Sequence, residues 1–335
     1  MSMSKLFLMF SGIVFVSTYI AYVNILYKQY GGIDNTQKTN IKQFKYKKTL
    51  LSFMFGSLFI IGSVNIVNTY FMVNIFKNPL VKNVVTIDAH RGDSKNAPEN
   101  TIPAFKKAYE KKADTIEIDV RLTKDKELVV VHDENLKRLT GANKNVSQMT
   151  LSQIKELDFG SHFSEEFKGE KIPTLKEVID FSRDKIDLII ELKVFNRNEK
   201  EIAKKVVDLL KEEDFLEHAV IHSLNESALY AVKENEKSIK TGYIVAIAIG
   251  KFPEDKNIDF YSIEATFVNR SICYDIHLKG KEIKVWTVND KNIARKLKTY
   301  GADSIITDDP YNIRKILNST PFERGLIDAV IDFGI

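Results

Sequence analysis

Two carboxylates and an imidazole sit where a folding chain favours apolar side chains. The stretch EIDVRLTKDKELVVVHD runs from Glu117 to Asp133. It reads as two strands around the charged turn TKDKE, because β-branched and apolar residues cluster on both sides. Glu117, Asp119 and His132 are embedded in it. Alternate residues of a strand share a face, so Glu117 and Asp119 project together, as do Glu191 and Lys193 in DLIIELKV. Another strand, VVTIDAH, ends in His90 and runs on into Arg91 and Gly92. Converging carboxylates repel unless a cation lies between them, and an all-oxygen ligand set suits a hard ion, Mg²⁺ or Ca²⁺. Two imidazoles beside such an ion can serve as general base and general acid. Arg91 and Lys193 supply positive charge for phosphate oxygens. A metal, two imidazoles and two cations are equipment for breaking a phosphodiester.

The elements that must position these residues are visible from residue 84 onward. Short apolar segments are predicted as strands at 84–90, 114–120, 128–133, 187–194, 219–224, 241–248, 260–265, 282–289 and 303–308. Amphipathic segments lie between most of them. TIPAFKKAYEKKA places Phe105, Ala108, Tyr109 and Ala113 on one face, and EKEIAKKVVDLLKEE does the same with Ile202, Val206, Leu209 and Leu210. DKNIARKLKTYGAD repeats the pattern and ends at Gly301, a helix C-cap. Alternation of strand and helix means a parallel sheet with right-handed crossovers, and eight such units in roughly 250 residues make a (β/α)₈ barrel. The candidates number one too many, and the second and third are joined by a turn too short for a crossover helix. Either that unit departs from the ideal barrel or one strand lies outside it. Residues 134–172 show no clear strand and read as an insertion on the barrel rim.

Barrels of this kind carry their chemistry at the C-terminal strand ends, where His90, Glu117, Asp119, His132, Glu191 and Lys193 fall. Later strand ends add Ser223, Glu264 and Trp286. Glu264 and Trp286 are candidates for the substrate pocket, whereas Ser223 lacks a His–Asp arrangement that would activate it. His162, His218, His222 and His277 lie outside the pattern and read as structural.

The first 83 residues have another character. Leu6–Tyr27 and Thr49–Phe76 contain no charged residue, and each is long enough to cross roughly 30 Å of hydrocarbon as a helix. Transmembrane helices are therefore expected within 1–27 and 49–76, joined by a basic loop at 28–48. The first stretch is too long, and its start too weakly basic, for a cleavable signal peptide. The loop holds six Lys and one Asp, a local charge of +5, against +4 for the whole chain. Lys5 adds one more positive charge, so residues 49–335 carry a net −2. The large domain has no basic excess, which excludes a nucleic-acid partner. The lysines place the loop in the cytoplasm, making a multi-pass protein of the cell membrane with its catalytic domain on the extracytoplasmic side. A single cysteine, Cys273, excludes a disulfide and a thiolate zinc cluster.

The segments AHRGDSKNAPENT, EIDVRLTKDKELVVVHD, IIELK, VWTVND and GADSIITDDP occur in that order. The series resembles the motifs of the glycerophosphodiester phosphodiesterase family, over residues 84–317, with 318–335 as a C-terminal tail. The resemblance implies a TIM barrel of the phospholipase C-like phosphodiesterase type. It implies metal-dependent hydrolysis of glycerophosphodiesters to sn-glycerol 3-phosphate and an alcohol. Carried over, His90 and His132 match the catalytic pair, and Glu117, Asp119 and Glu191 match the ligands of one divalent cation, Ca²⁺ or Mg²⁺. Arg91 and Lys193 match phosphate-contacting positions, and 134–172 corresponds to the family's pocket-shaping insertion. The implied course is attack by the glycerol hydroxyl, giving a cyclic phosphate that water opens. The sequence leaves base and acid open, with a leaning towards His90 as base. The chain departs from the family pattern at VIHSLN, where Ser-Phe is more frequent, and its sixth strand does not align. The two spans resemble the end of the multi-span membrane domain of some Gram-positive members. Alternative substrates for an outward-facing, tethered site are a lysophospholipid or polyglycerol phosphate. A non-catalytic membrane-bound sensor is the alternative outside enzymes; an intact histidine pair argues against it.

Overall fold

Segments rich in β-branched residues form strands at all nine predicted places. They are β1 (Thr86–His90), β2 (Thr115–Leu122), β3 (Leu128–Val130), β4 (Asp187–Leu192), β5 (Ala219–Ser223), β6 (Thr241–Val245), β7 (Phe260–Glu264), β8 (Glu282–Trp286) and β9 (Ser304–Thr307). The computed structural model describes residues 84–247 and 252–318. The expected membrane spans, the basic loop and the tail from 319 onward lie outside the described residues. Among the described residues, no helix is long and apolar enough to cross a membrane.

Eight of the strands are parallel, and β9 pairs back onto β1 to close a barrel. The surplus strand is β3, which pairs antiparallel with β2, Val120 opposite Val130 and Leu122 opposite Leu128. A short turn can only return the chain antiparallel, so the second and third predicted strands make a hairpin and not a crossover unit. Strand β1 accompanies β2 only from Thr115 to Glu117. Since β4 occupies the other edge of β2, β3 takes over the edge that β1 leaves. The chain then runs back towards the end of β1, with the Val131 N–H donating to the Asp119 carbonyl at 2.8 Å. His132 follows immediately, and His90 is paired with Glu117 on the same edge. The two histidines thus approach one another along one side of β2 from opposite directions.

Side-chain alternation divides β3 between two cores. Val130 joins the main core, whereas Val129 and Val131 face a second cluster with Leu136, Leu139, Val146, Met149, Ile154, Phe159 and Ile172. That second cluster is the body of the predicted insertion. It contains α2 (Lys137–Thr140) and α3 (Leu151–Glu156), the latter begun by a capping box of Thr150 and Gln153.

The helices around the barrel are α1 (Ile102–Glu110), α4 (Leu175–Ser182), α5 (Glu199–Glu212), α6 (Glu226–Asn235), α7 (Arg270–Leu278), α8 (Lys291–Tyr300) and α9 (Pro310–Asn318). In α5, Ile202, Val206 and Leu210 are buried as expected, together with Ala203 and Val207, while Leu209 is only partly covered. In α1 the buried stripe is Ala104, Phe105 and Ala108. Tyr109, expected on it, falls at the stripe's edge and is 43% exposed. Helix α8 ends at Gly301 in the left-handed conformation, φ 99°.

The barrel interior is polar below its mouth. Asp88 on β1 accepts from Thr115 Oγ1 at 2.6 Å and from Ser304 Oγ, and pairs with Lys284 Nζ at 3.0 Å. Removing one member of such a buried pair leaves the other charge uncompensated, at about 3–5 kcal/mol. Lys284→Met is expected to lower unfolding stability by about that amount in urea denaturation, and adding Asp88→Asn to restore part of it. Wild-type stability in the single variant would show that the pair does not hold the barrel floor.

Candidate active site

The turn that follows β1 is conformationally demanding. Arg91 and Gly92 both have left-handed backbones, φ 57° and 85°. A Cβ on residue 92 would lie 2.7 Å from the backbone of Ala104, so only glycine fits. Arg91 is held in a region that non-glycine residues rarely adopt. Its N–H donates to Glu117 Oε2 at 3.2 Å, and its carbonyl accepts from the Asn100 N–H at 3.0 Å. Asn100, itself left-handed at φ 58°, bonds Asp119 twice: Nδ2 donates to Oδ2 at 2.8 Å, and the Asp119 N–H donates to Oδ1 at 3.3 Å.

Glu117, Asp119 and Glu191 are all buried. Asp119 lies opposite Glu191 and Glu191 opposite His222 in the sheet register, so these side chains share one level of the barrel. Lys193 Nζ bridges two of the carboxylates, 3.0 Å from Asp119 and 2.7 Å from Glu191. Arg91 Nε lies 3.3 Å from Asp119, and its Nη1 donates to Glu99 at 2.9 Å. Burial alone would raise the Asp119 carboxyl, but Lys193 and Arg91 hold it far below the usual carboxylate range. Glu191 behaves in the opposite way: burial, with the negative charge of Asp119, outweighs Lys193 and pushes it up. The two cations expected for phosphate are thus also the counter-charges of these carboxylates.

One residue set aside by the sequence reading belongs here. His222 on β5 is 2% exposed, and Nε2 lies 3.5 Å from Glu117 Oε1. One ligand atom from each of Glu117, Glu191 and His222 lies within 4.8 Å of the others. Among the described residues, neither nitrogen of His222 has a hydrogen-bond partner. Its ring is backed by that of Phe260, centroids 6.3 Å apart, and Phe260 lies over Gly242, where a Cβ would come within 2.0 Å of the ring. Two carboxylates and an imidazole with orphaned nitrogens fit a divalent cation. Asp119 stands beside this trio and is occupied by Asn100, Arg91 and Lys193.

Both expected catalytic histidines are anchored in the same manner. His90 Nδ1 lies 2.6 Å from Asp308 Oδ1, and His132 Nδ1 lies 2.8 Å from Asp133 Oδ1. A carboxylate at Nδ1 favours the proton there and leaves Nε2 for chemistry. Asp308 also accepts from Ser94 Oγ at 3.0 Å and Asn289 Nδ2 at 2.6 Å. Although burial works against its ionisation, these bonds and His90 hold its pKa near about 2. On the other side, Arg138 donates to Asp133 at 2.6 Å and to both oxygens of Glu99 at 2.8 Å. Glu99 continues to Arg91, so one hydrogen-bonded chain runs from Arg91 to His132. The two imidazoles are tuned in opposite directions. Burial disfavours protonation of His90, but the Asp308 bond and the charge of Glu117 outweigh it and raise the pKa. Burial, aided by Lys193 and Arg91, lowers that of His132 despite Asp119.

A cavity of about 410 Å³ opens beside His90, lined by Arg91, Lys95, Glu99, Asn289 and Asp308 among others. Glu264 and Trp286 are register partners at the ends of β7 and β8 but do not line it. The Glu264 carboxylate accepts from the Thr266 N–H at 2.9 Å, and Trp286 Nε1 donates to the Ser262 carbonyl at 2.9 Å. His218 and His277 pair with Asp187 and Asp303, as structural residues do. Asp308, Asn289, Glu99 and Asn100 were not singled out as site residues, although each lies in a motif of the series.

The model of the glycerophosphoryl diester phosphodiesterase family matches residues 90–312. The chain belongs to this family and is a phosphodiester hydrolase. A glycerophosphodiester phosphodiesterase of Caldanaerobacter subterraneus subsp. tengcongensis is 40% identical over 226 residues, 66% of this chain and 93% of that one. Among solved structures, an Oleispira antarctica phosphodiesterase in complex with the product sn-glycerol-3-phosphate is 30% identical. It matches with TM-score 0.65 over 70% of this chain and 97% of its own. A Thermotoga maritima glycerophosphodiester phosphodiesterase is also 30% identical, TM-score 0.55, over 70% and 98%.

Because the Asp308 bond raises the His90 pKa, Asp308→Asn is expected to lower it. The NMR titration of His90 would then move to lower pH. An unmoved His90 titration would remove Asp308 as its controlling partner.

Proposed function

We propose that this chain hydrolyses glycerophosphodiesters to sn-glycerol 3-phosphate and an alcohol, with His90 and His132 as the acid–base pair and one divalent cation as cofactor. The observation that carries the proposal is the pair of imidazoles, each tied through Nδ1 to an aspartate and each under the charge of a buried carboxylate, His90 under Glu117 and His132 under Asp119. The product named for the Oleispira antarctica relative supports the substrate class. Glu117 and Glu191, with Asp119 alongside, would hold the cation, Ca²⁺ or Mg²⁺ on the oxygen ligands alone. When bound, it supplies Lewis-acid stabilisation of charge on the phosphate oxygens.

The remaining steps belong to the protein. Arg91 and Lys193 orient the phosphate and balance its charge. The glycerol 2-hydroxyl oxygen attacks phosphorus as its proton passes to Nε2 of His132, the imidazole kept neutral by its lowered pKa. The bond from phosphorus to the alcohol oxygen breaks as His90 gives that oxygen its proton. Water then opens the cyclic phosphate with the two roles exchanged. The pKa directions thus favour His90 as acid, the reverse of the leaning drawn from sequence. A group that must be protonated sets the alkaline limb of kcat/KM. Asp308→Asn is therefore expected to shift that limb, and not the acid limb, to lower pH. A shift of the acid limb would make His90 the base.

The direct test is release of sn-glycerol 3-phosphate from glycerophosphocholine by the full-length protein. EDTA is expected to abolish it, and added divalent ion to restore it. His90→Ala and His132→Ala should each lower kcat by on the order of 10²–10⁴-fold, and His277→Ala should leave it near wild type. Full activity in chelator after dialysis would remove the metal, and normal turnover of His132→Ala would remove the acid–base pair.

The charge of residues 28–48 supports a membrane-anchored form with the barrel outside the cytoplasm. Protease added to intact cells is then expected to release a fragment containing His90. Protection until lysis would reverse the orientation.

A further inference from the structure

We propose that His222 is a nitrogen ligand of the cation site, and that it turns the site's preference from Ca²⁺ and Mg²⁺ towards a first-row transition ion, for which Mn²⁺ serves as the spectroscopic probe. This rests on the divalent-cation reading above and adds to it a donor and a selectivity.

The case begins with what His222 lacks. An imidazole buried for structural reasons normally satisfies at least one nitrogen, because an unmade hydrogen bond in the interior carries the full desolvation penalty. His277, by comparison, pairs with Asp303 at 2.8 Å. Neither nitrogen of His222 makes a hydrogen bond to any described residue. Its backbone neighbours in the sheet are Glu191 on one side and Gly242 on the other, and Gly242 has no side chain to offer. Phe260 supplies an apolar wall. Among the described residues, the one carboxylate within ion-pair reach is Glu117, at 3.5 Å from Nε2. That distance is too long for a good hydrogen bond but is ordinary for two ligands of one ion. Glu191 completes the trio within 4.8 Å.

Phe260 lies over the bare backbone of Gly242, and its ring centroid is 6.3 Å from that of His222.

The donor set then determines the ion. Carboxylate oxygens alone suit Ca²⁺, Mg²⁺ or Mn²⁺, whereas imidazole is a ligand of transition ions. Ca²⁺ collects oxygens in large, flexible shells, which a buried ring nitrogen does not complete. A set of two carboxylates and one imidazole therefore favours a transition ion over Ca²⁺.

The experiment uses the full-length protein and Mn²⁺ as the probe. Electron spin echo envelope modulation of bound Mn²⁺ is expected to show a directly coordinated ¹⁴N, converting to ¹⁵N when the protein is labelled at histidine. His222→Gln, which replaces the nitrogen by an amide oxygen, should abolish that modulation. It should weaken Mn²⁺ binding by at least about tenfold, since even outer partners of metal ligands are worth about 10–100-fold in affinity. Ca²⁺ affinity should change less. The wild-type spectrum needs no variant, so misfolding of His222→Gln would not protect the proposal. Mn²⁺ bound without nitrogen modulation, or modulation that persists in His222→Gln, would overturn this inference and leave the cation site intact. Failure of both Mn²⁺ and Ca²⁺ to bind would remove the cation reading itself, and this one with it.

Discussion

Three buried carboxylates at one end of a barrel set the terms for everything around them. Two like charges about 4 Å apart repel by about 4 kcal/mol at an effective dielectric of about 20, and burial adds a penalty for each. The surrounding residues answer this problem. Lys193 bridges Asp119 and Glu191, Arg91 leans on Asp119, and Asn100 gives Asp119 two hydrogen bonds. To bring its own N–H onto Glu117, Arg91 accepts a left-handed backbone, and Gly92 must follow because no Cβ fits there. The need for glycine at 92 comes from the helix α1 residue Ala104, packed against the same turn.

The same economy of charge reaches the histidines. His90 is tied to Asp308 from the last barrel strand's loop, which Asn289 and Ser94 hold from two sides. His132 is tied to Asp133, and through Arg138 and Glu99 to Arg91. Arg91 therefore touches the carboxylate row and, by one continuous chain, the anchor of the second imidazole. Perturbing any link would be felt at both places, and double-mutant cycles along the chain would show coupling where additive behaviour is usual for separate sites.

The strands were legible because β-branched runs and period-two alternation are local signals, and the two motifs with paired residues at i and i+2 made the site's core visible. What local signals cannot report is pairing. The surplus strand β3 looked like any other until its partner and direction were known. His222 looked like a lone histidine in an apolar strand; only the register that sets it opposite Glu191 brings it beside the buried carboxylates. Asp308 lies 218 positions from the histidine it anchors, a distance no spacing argument bridges. Tyr109 was misplaced for a simpler reason: it occupies the margin of a helical stripe, where periodicity is least decisive.

The hairpin of β2 and β3 works as a gauge. His132 follows β3 directly, and the ladder register, with Arg121 of β2 donating to the His132 carbonyl at 2.9 and 2.6 Å, fixes how far along β2 it is delivered. Slipping the ladder by two residues would carry the imidazole about 6.6 Å along the strand, and by one residue would turn it to the opposite face. Val129 of β3 and Val131 just after it, turned into the insertion, with Val130 turned into the barrel, forbid the single-residue slip, because it would exchange the contents of two cores at once. A structural lock on side-chain alternation thereby becomes a tolerance on catalytic spacing. The insertion on the rim, which also supplies Arg138 to the Asp133 that His132 bonds, is part of what keeps the second histidine in place.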